Sequence, residues 1–116
     1  MLNKVLGAKG EKLAADFLER NGFEVIEKNF RYDRGEIDIV ARKGKLITFC
    51  EVKTRTNSAY GGGENAVDYR KQQQIRKVAE GYIEERELND YDFRFDVIVV
   101  EIRHGSTVIR IIESAF

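Results

Sequence analysis

The chain has 116 residues, of which 42% are hydrophobic and 34% charged, proportions typical of one folded globular domain over residues 1–116. No apolar run approaches the roughly 20 residues of a membrane span, and the first residues lack the apolar stretch of a secretory signal. The charges of twenty basic and twenty acidic residues cancel, which excludes a polycation that binds nucleic acid by its total charge alone. Residues 1–79 nevertheless carry a balance of +5 and residues 80–116 one of −5. The single cysteine, Cys50, cannot form an internal disulfide, so we expect a reducing, cytoplasmic setting.

The first predicted element is a helix over residues 3–20, with Asn3 as its N-cap and Asn21-Gly22 as its stop. Its apolar positions recur at helical spacing: Leu6, Leu13, Ala14, Phe17 and Leu18. Gly7 and Gly10 each weaken a helix by about 1 kcal/mol relative to Ala. The alternative is that they permit close approach of another backbone.

Five strands and a second helix complete the pattern. Alternation and β-branched or aromatic residues predict strands over residues 23–27, 36–42, 45–55, 93–100 and 107–112. Residues 54–67 form a polar loop whose Gly61-Gly62-Gly63 run predicts a mobile segment, and Asp68 caps a helix that continues to residue 86. The order α-β-β-β-α-β-β predicts the α/β class, with a mixed sheet flanked by helices and the second helix as a right-handed crossover.

The second and third strands form a hairpin that places charged residues together. If Lys43-Gly44 is a two-residue loop, Asp38 opposes Phe49 and Glu36 opposes Glu51. Opposed residues share a face, so one side carries Glu36, Asp38, Glu51 and Lys53. The other side is mostly apolar, with Ile37, Ile39, Ala41, Leu46, Thr48, Cys50 and Val52. Val40, Ile47 and Phe49 lie on the charged side, which predicts that one end of it is covered.

Three carboxylates on one face repel each other, and a divalent cation would remove that repulsion. Oxygen ligands of this kind suit Mg²⁺ or Mn²⁺. Lys53 then lies where it orients a water or stabilises negative charge that develops on a phosphate. The alternative is a solvated patch that Lys53 and Arg34 neutralise.

These motifs resemble known nucleases. Asp38, twelve residues, then Glu51-Val52-Lys53 is similar to the metal site of the PD-(D/E)xK nuclease superfamily, with Ile37 in place of the usual proline. The chain more closely resembles the YraN family, small bacterial nuclease-like proteins related to archaeal Holliday-junction resolvases. That resemblance rests on Gly10-Glu11 with Ala14, Asn29-Phe30-Arg31, Gly35-Glu36-Ile37-Asp38, residues 49–55, Lys71-Gln72 and Phe95-Asp96-Val97.

The resemblance implies a restriction-endonuclease-like sheet of about five strands and a function for each residue of the hairpin motif. Asp38 and Glu51 would hold Mg²⁺ or Mn²⁺, with the Val52 carbonyl as a third ligand. Lys53 would be the catalytic lysine, and Glu11 of the first helix would support the metal site. The implied activity is metal-dependent hydrolysis of phosphodiester bonds in branched or structured DNA, by a homodimer.

A basic run without acids covers residues 70–77. We expect its members to contact nucleic-acid phosphates together with a residue that follows the hairpin motif: Arg55, Arg70, Lys71, Gln72 and Lys77. Arg76 belongs to the same run, and Arg31, Arg34 and the loop around Tyr60 would extend the surface. The alternative for the run is an ordinary solvated helix face. Two other functions remain open, a non-catalytic nucleic-acid-binding module and a protein-interaction domain. Asp96 is either a structural pairing residue or a neighbour of the site.

Overall fold

The computed structural model describes residues 2–56 and 67–116 and has the predicted order of elements. They are α1 (Leu2–Arg20), β1 (Glu24–Tyr32), β2 (Gly35–Lys43), β3 (Leu46–Arg55), α2 (Tyr69–Arg86), β4 (Asp92–Arg103) and β5 (Ser106–Ile112). The α/β class and the mixed sheet are therefore confirmed. The predicted mobile segment around Gly61-Gly62-Gly63, with Tyr60, lies outside the described residues. No helix in the described part of the chain is long and apolar enough to cross a membrane.

The five strands form one sheet in the order β1-β2-β3-β4-β5. Neighbours are antiparallel except β3 and β4, which are parallel over their whole ladder from Leu46 and Asp92 to Arg55 and Glu101. Parallel neighbours need a crossover connection, and α2 lies in it as predicted. Asp68 is the N-cap of α2, because its carboxylate accepts the Lys71 N–H at 2.9 Å.

Each face of the sheet is covered by one helix, so the central strands are buried on both sides. The α2 side holds Ile37, Val40, Ile47, Phe49, Ile75, Val78, Ala79, Tyr82, Val97 and Val99, with Val67. The α1 side holds Ala14, Ala15, Leu18, Ile39, Ala41, Cys50, Ile98 and Val100. Val40, Ile47 and Phe49 thus lie under a helix, which confirms that one end of the charged side is covered.

The predicted register of the hairpin is wrong by two residues. Lys43 pairs with Leu46, so the turn is Gly44-Lys45. Gly44 has φ 62°, and a type II′ hairpin turn requires Gly at this first position. A shift of two residues does not by itself change the face of a side chain, and Ile39, Ala41 and Cys50 share the α1 side as predicted. Ile37 was predicted on that same side, but it packs on the α2 side, so the regular alternation of β2 is broken between Ile37 and Ile39.

Several predicted boundaries also differ from the structure, and β4 continues to Arg103, three residues beyond its predicted end. The helix α1 begins at Leu2, so Asn3 lies inside it and does not cap it. The strand β1 continues to Tyr32, five residues beyond its predicted end. A bulge between Val25 and Glu27 and a positive φ of 54° at Asn29 break the alternation by which a strand is recognised.

Candidate active site

Asp38 lies where β2 and β3 separate. The ladder between these strands runs from Lys43–Leu46 to Ile39–Cys50. One residue further along β2, the Asp38 Oδ2 accepts the Val52 N–H at 2.8 Å. A side chain therefore bonds to β3 at the point where the backbone pairing ends, and the two strands open around it.

Four carboxyl groups from three elements interact at this opening. Burial is the main cause that raises the pKa of Asp38 to about 7, and the charge of Glu51 is the next. Glu11 and Glu36 raise the pKa further, while the hydrogen bond from Val52 lowers it. The concentration of carboxylates that the hairpin predicted is thus present, with Glu11 from α1 added to it.

Glu11 reaches the site because α1 lies close to β3. A Cβ at position 10 would overlap the Thr54 side chain, so Gly10 allows this approach. Glu11 is half-buried, and its Oε1 accepts the Asn29 Nδ2–H at 3.0 Å. Burial, then Glu36 and Glu51, raise its pKa, and the Lys28 ammonium acts in the opposite direction.

Glu51 and Lys53 lie on β3, on the other side of the opening from Asp38. The Glu51 side chain is 10% exposed and its Oε2 lies 3.4 Å from the Lys71 Nζ, at the start of α2. Lys53 is half-buried and points to the same side of β3 as Glu51. Within the described part of the chain, its ammonium has no carboxylate within 4 Å. One cation of the site is therefore paired with a carboxylate, and the other has no carboxylate partner among residues 2–56 and 67–116.

The donors at the opening fit a divalent cation of the Mg²⁺ type. The described residues contain no group of three or more His, Cys, Asp or Glu side chains placed to hold a metal ion together. Mg²⁺ does not need one, since it commonly takes one or two carboxylates and completes its shell with water and phosphate oxygens. Asp38 and Glu51 are such oxygen donors, and the charge of Glu51 is one cause of the raised pKa of Asp38.

The structure places the predicted nucleic-acid residues in different surroundings. Arg70 is exposed on the first turn of α2. Lys77 is paired with Asp33 at 2.8 Å, and the Gln72 Nε2 donates to the Val67 carbonyl at 2.7 Å. Arg55 forms a largely buried ion pair with Glu101 at 2.6 Å. Of the five predicted residues, Lys71 contacts the carboxylate cluster, through its ion pair with Glu51.

A cleft borders the site between the β1–β2 turn and the start of α2. Residues 31–36 line a cavity of about 480 Å³, and a second one of about 280 Å³ lies among Asp68, Arg70, Lys71 and Gln74. The Gln74 Nε2 donates to the Arg34 carbonyl at 3.2 Å and links the two sides. Arg34 of the predicted surface therefore lies beside α2, whereas the Arg31 guanidinium lies 3.8 Å from the Glu36 carboxylate.

Asp96 belongs to the core and not to the site. It is fully buried, and its carboxylate accepts hydrogen bonds from Thr48 at 2.6 Å, from Arg94 at 2.9 and 3.0 Å and from the Ser114 N–H at 2.9 Å. The first of the two alternatives for this residue, structural pairing, is correct. Arg76 also has a structural partner, because its guanidinium lies over the rings of Phe95 and Phe116.

Asn29 contacts the carboxylate cluster through its hydrogen bond to Glu11, and the sequence pattern assigns it no role. It lies beyond the predicted end of β1, although it belongs to one of the motifs that carry the family resemblance. Its residue type is the sequence feature that points to its unusual backbone conformation, because Asn is enriched at positive φ.

Comparison with known proteins gives a family and a fold. Residues 10–100 match the profile of the uncharacterised protein family UPF0102. A UPF0102 protein of Alkaliphilus metalliredigens is 48% identical over 101 residues, covering 87% of this chain and 89% of that protein. One of Geobacter metallireducens is 47% identical over 114 residues, covering 98% and 93%. Among solved structures, a Holliday junction resolvase of Archaeoglobus fulgidus matches with a TM-score of 0.55 and 17% identity, over 92% of this chain and 76% of that one.

Proposed function

The chain belongs to the uncharacterised protein family UPF0102, the YraN family of the sequence resemblance, and we propose that it is a divalent-metal-dependent endonuclease. The observation that carries the proposal is the Asp38 carboxyl group, held at the opening between β2 and β3 among three other carboxyl groups. The resolvase-like fold around this cluster adds only a fold-level analogy with that reaction class, so the proposal rests on the site.

Each residue of the cluster has a proposed role. Asp38 and Glu51 hold the cation, with the Val52 carbonyl as a further ligand, and Glu11 orients water at its edge. When bound, a divalent cation supplies an activated water and offsets negative charge on the phosphate. Lys53 donates to the phosphate oxygens as their charge rises, because its ammonium lies on the same side of β3 as Glu51.

The substrate we propose is branched or structured DNA. Arg70 and Arg34 border the cleft beside the site and would contact backbone phosphates, which fixes position without reading sequence. The remaining residues would become available only if their present partners are exchanged for phosphate: Lys71, Gln72, Lys77 and Arg55. Cutting both strands at a branch requires two active sites, so we propose a homodimer on the substrate.

The test is a cleavage panel of single-stranded, duplex, forked and four-way DNA, with matching RNA, in Mg²⁺ and in Mn²⁺. We expect cleavage by the wild type and a loss of at least a hundredfold in Asp38→Asn and in Lys53→Ala. Glu19→Gln, an exposed position near the end of α1, is the matched control and should cleave as the wild type does. Equal cleavage by Asp38→Asn and the wild type would refute the proposed site.

One observation favours a second function. The Lys71 ammonium forms an ion pair with the Glu51 carboxylate, so a protein cation already offsets the charge of one proposed metal ligand. A non-catalytic nucleic-acid-binding module with the same fold would keep this ion pair permanently. In that case the panel shows salt-dependent binding and no cleavage with either metal, and the binding is the same with and without Mg²⁺.

A further inference from the structure

Asn29 has an unusual conformation for a strand residue. Its φ of 54° lies in the left-handed region, although it stands inside β1. The β1–β2 ladder pairs Lys28 with Ile39 and Phe30 with Ile37, so Asn29 lies between two paired positions. Asn adopts this conformation more readily than other residues with side chains, and Gly adopts it more readily still. A purely conformational requirement would therefore be met best by Gly.

The side chain of Asn29 has a partner that explains why it is not Gly. Its Nδ2–H donates to the Glu11 Oε1 at 3.0 Å, which joins β1 to α1 across 18 residues of sequence. Glu11 is repelled by Glu36 and Glu51 and is attracted by Lys28. Without a fixed donor, a glutamate in such a field gains both entropy and hydration by turning to solvent.

We propose that Asn29 is a positioning residue, which holds the Glu11 carboxylate beside Asp38 and Glu51 so that it takes part in binding a divalent cation. The inference rests on the proposed function, because it assigns Glu11 to the same cluster. A neutral amide suits this task, since it fixes Glu11 without cancelling the negative charge that attracts the cation. A lysine at this position would supply a competing cation instead.

Two substitutions separate the conformation of Asn29 from its amide. Asn29→Gly preserves the left-handed backbone and deletes only the hydrogen bond. Asn29→Asp also tolerates positive φ but places a carboxylate against Glu11. Glu87→Gly is the matched control, because Glu87 has φ 53° in the C-cap of α2 and lies outside the carboxylate cluster.

The experiment is calorimetric titration of each full-length variant with Mn²⁺ at pH 8, where most of Asp38 is ionised. Removing an outer-shell partner typically weakens metal affinity by about tenfold to a hundredfold, so we expect that loss in Asn29→Gly. A comparable loss is expected in Asn29→Asp and none in Glu87→Gly. In a Glu11→Gln background, Asn29→Gly should weaken binding no further, because both changes remove the same contact.

The outcomes distinguish the positioning role from the proposed function. If Asp38→Asn abolishes binding while Asn29→Gly binds as the wild type does, Asn29 has no positioning role and the metal site stands. If Asn29→Gly weakens binding equally with Glu11 present or replaced, Asn29 acts on the backbone and the proposal is also overturned. If the wild type does not bind Mn²⁺, or Asp38→Asn binds it equally well, the proposed function itself fails.

Discussion

Asp38 is costly to ionise in the folded chain. Burial, with the neighbouring Glu51, raises its pKa from 3.8 to about 7. Between these two pH values the native state holds a proton that the unfolded chain has released. Stability therefore decreases as pH rises from about 4 to about 7, and the contribution of this group is constant above that range. A bound cation would reverse the penalty, because it favours the ionised form.

Replacing Asp38 by Asn should stabilise the metal-free protein. The amide oxygen still accepts the Val52 N–H, but no charge has to be buried. We expect equal stability below pH 4 and a gain of roughly 2–4 kcal/mol above pH 7, since one pKa unit is worth about 1.4 kcal/mol. Urea unfolding in EDTA at pH 4 to 8 measures this difference. Asp90→Asn, at an exposed turn, is the control, and curves that run parallel for Asp38→Asn and the wild type would contradict the shift.

The two glycines at the start of α1 have opposite environments. A Cβ at Gly7 meets nothing within 4 Å, whereas one at Gly10 would overlap Thr54 of β3. The sequence left open whether these glycines merely weaken the helix or allow close approach. The structure shows that each explanation holds for one of them.

This contrast predicts stability changes of opposite sign. Gly7→Ala should stabilise the protein by up to about 1 kcal/mol, the difference in helix propensity. Gly10→Ala gains the same propensity but forces α1 away from β3, and overpacking typically costs about 1–3 kcal/mol. Because Glu11 follows Gly10, only Gly10→Ala should also weaken Mn²⁺ binding. Chemical unfolding of both variants measures the stabilities, and a stabilised Gly10→Ala would show that α1 does not contact β3 closely.

Element boundaries were predictable where burial is periodic and unpredictable where it is not. The limits of α2 and β5 agree with the sequence pattern to within one residue, because a cap or a turn marks each. The strand β1 was cut short because it is largely exposed and contains a bulge, so alternation carries little information. The predicted hairpin register is wrong because two-residue turns at 43–44 and at 44–45 give the same alternation and both contain Gly44, so only the pairing of Lys43 with Leu46 separates them.

Across the whole molecule, the sequence predicted which residues lie near each other better than it predicted the hydrogen bonds and strand geometry that bring them together. Alternation alone brought Asp38 and Glu51 to one part of the sheet. It did not predict that β2 and β3 separate at Asp38, because that depends on the bond from its side chain to Val52. The contribution of Asn29 was also missed, since it needs the packing of α1 against the sheet, a long-range contact that local patterns do not encode.

The uneven charge of the molecule predicts a local nucleic-acid surface at the start of α2. The net charge is zero, so binding must depend on the cations of residues 1–79 and not on the whole chain. The logarithm of the binding constant should fall linearly with the logarithm of salt concentration, by about 0.9 per duplex phosphate contacted. Replacing Arg70 and Lys77 together by Ala should flatten that slope by up to about two, and should weaken binding to all sequences alike.

The matched control removes two cations from the other end of the molecule. Arg20 is the last residue of α1, and Lys45 lies in the turn before β3, away from the carboxylate cluster. The Arg20→Ala, Lys45→Ala double variant has the same net charge as the Arg70, Lys77 variant, so a difference between them reports position and not total charge. Fluorescence anisotropy of a labelled four-way junction, in EDTA from 50 to about 300 mM salt, measures both slopes. Equal flattening by the two double variants would mean that net charge alone governs binding, and the surface at α2 would have to be abandoned.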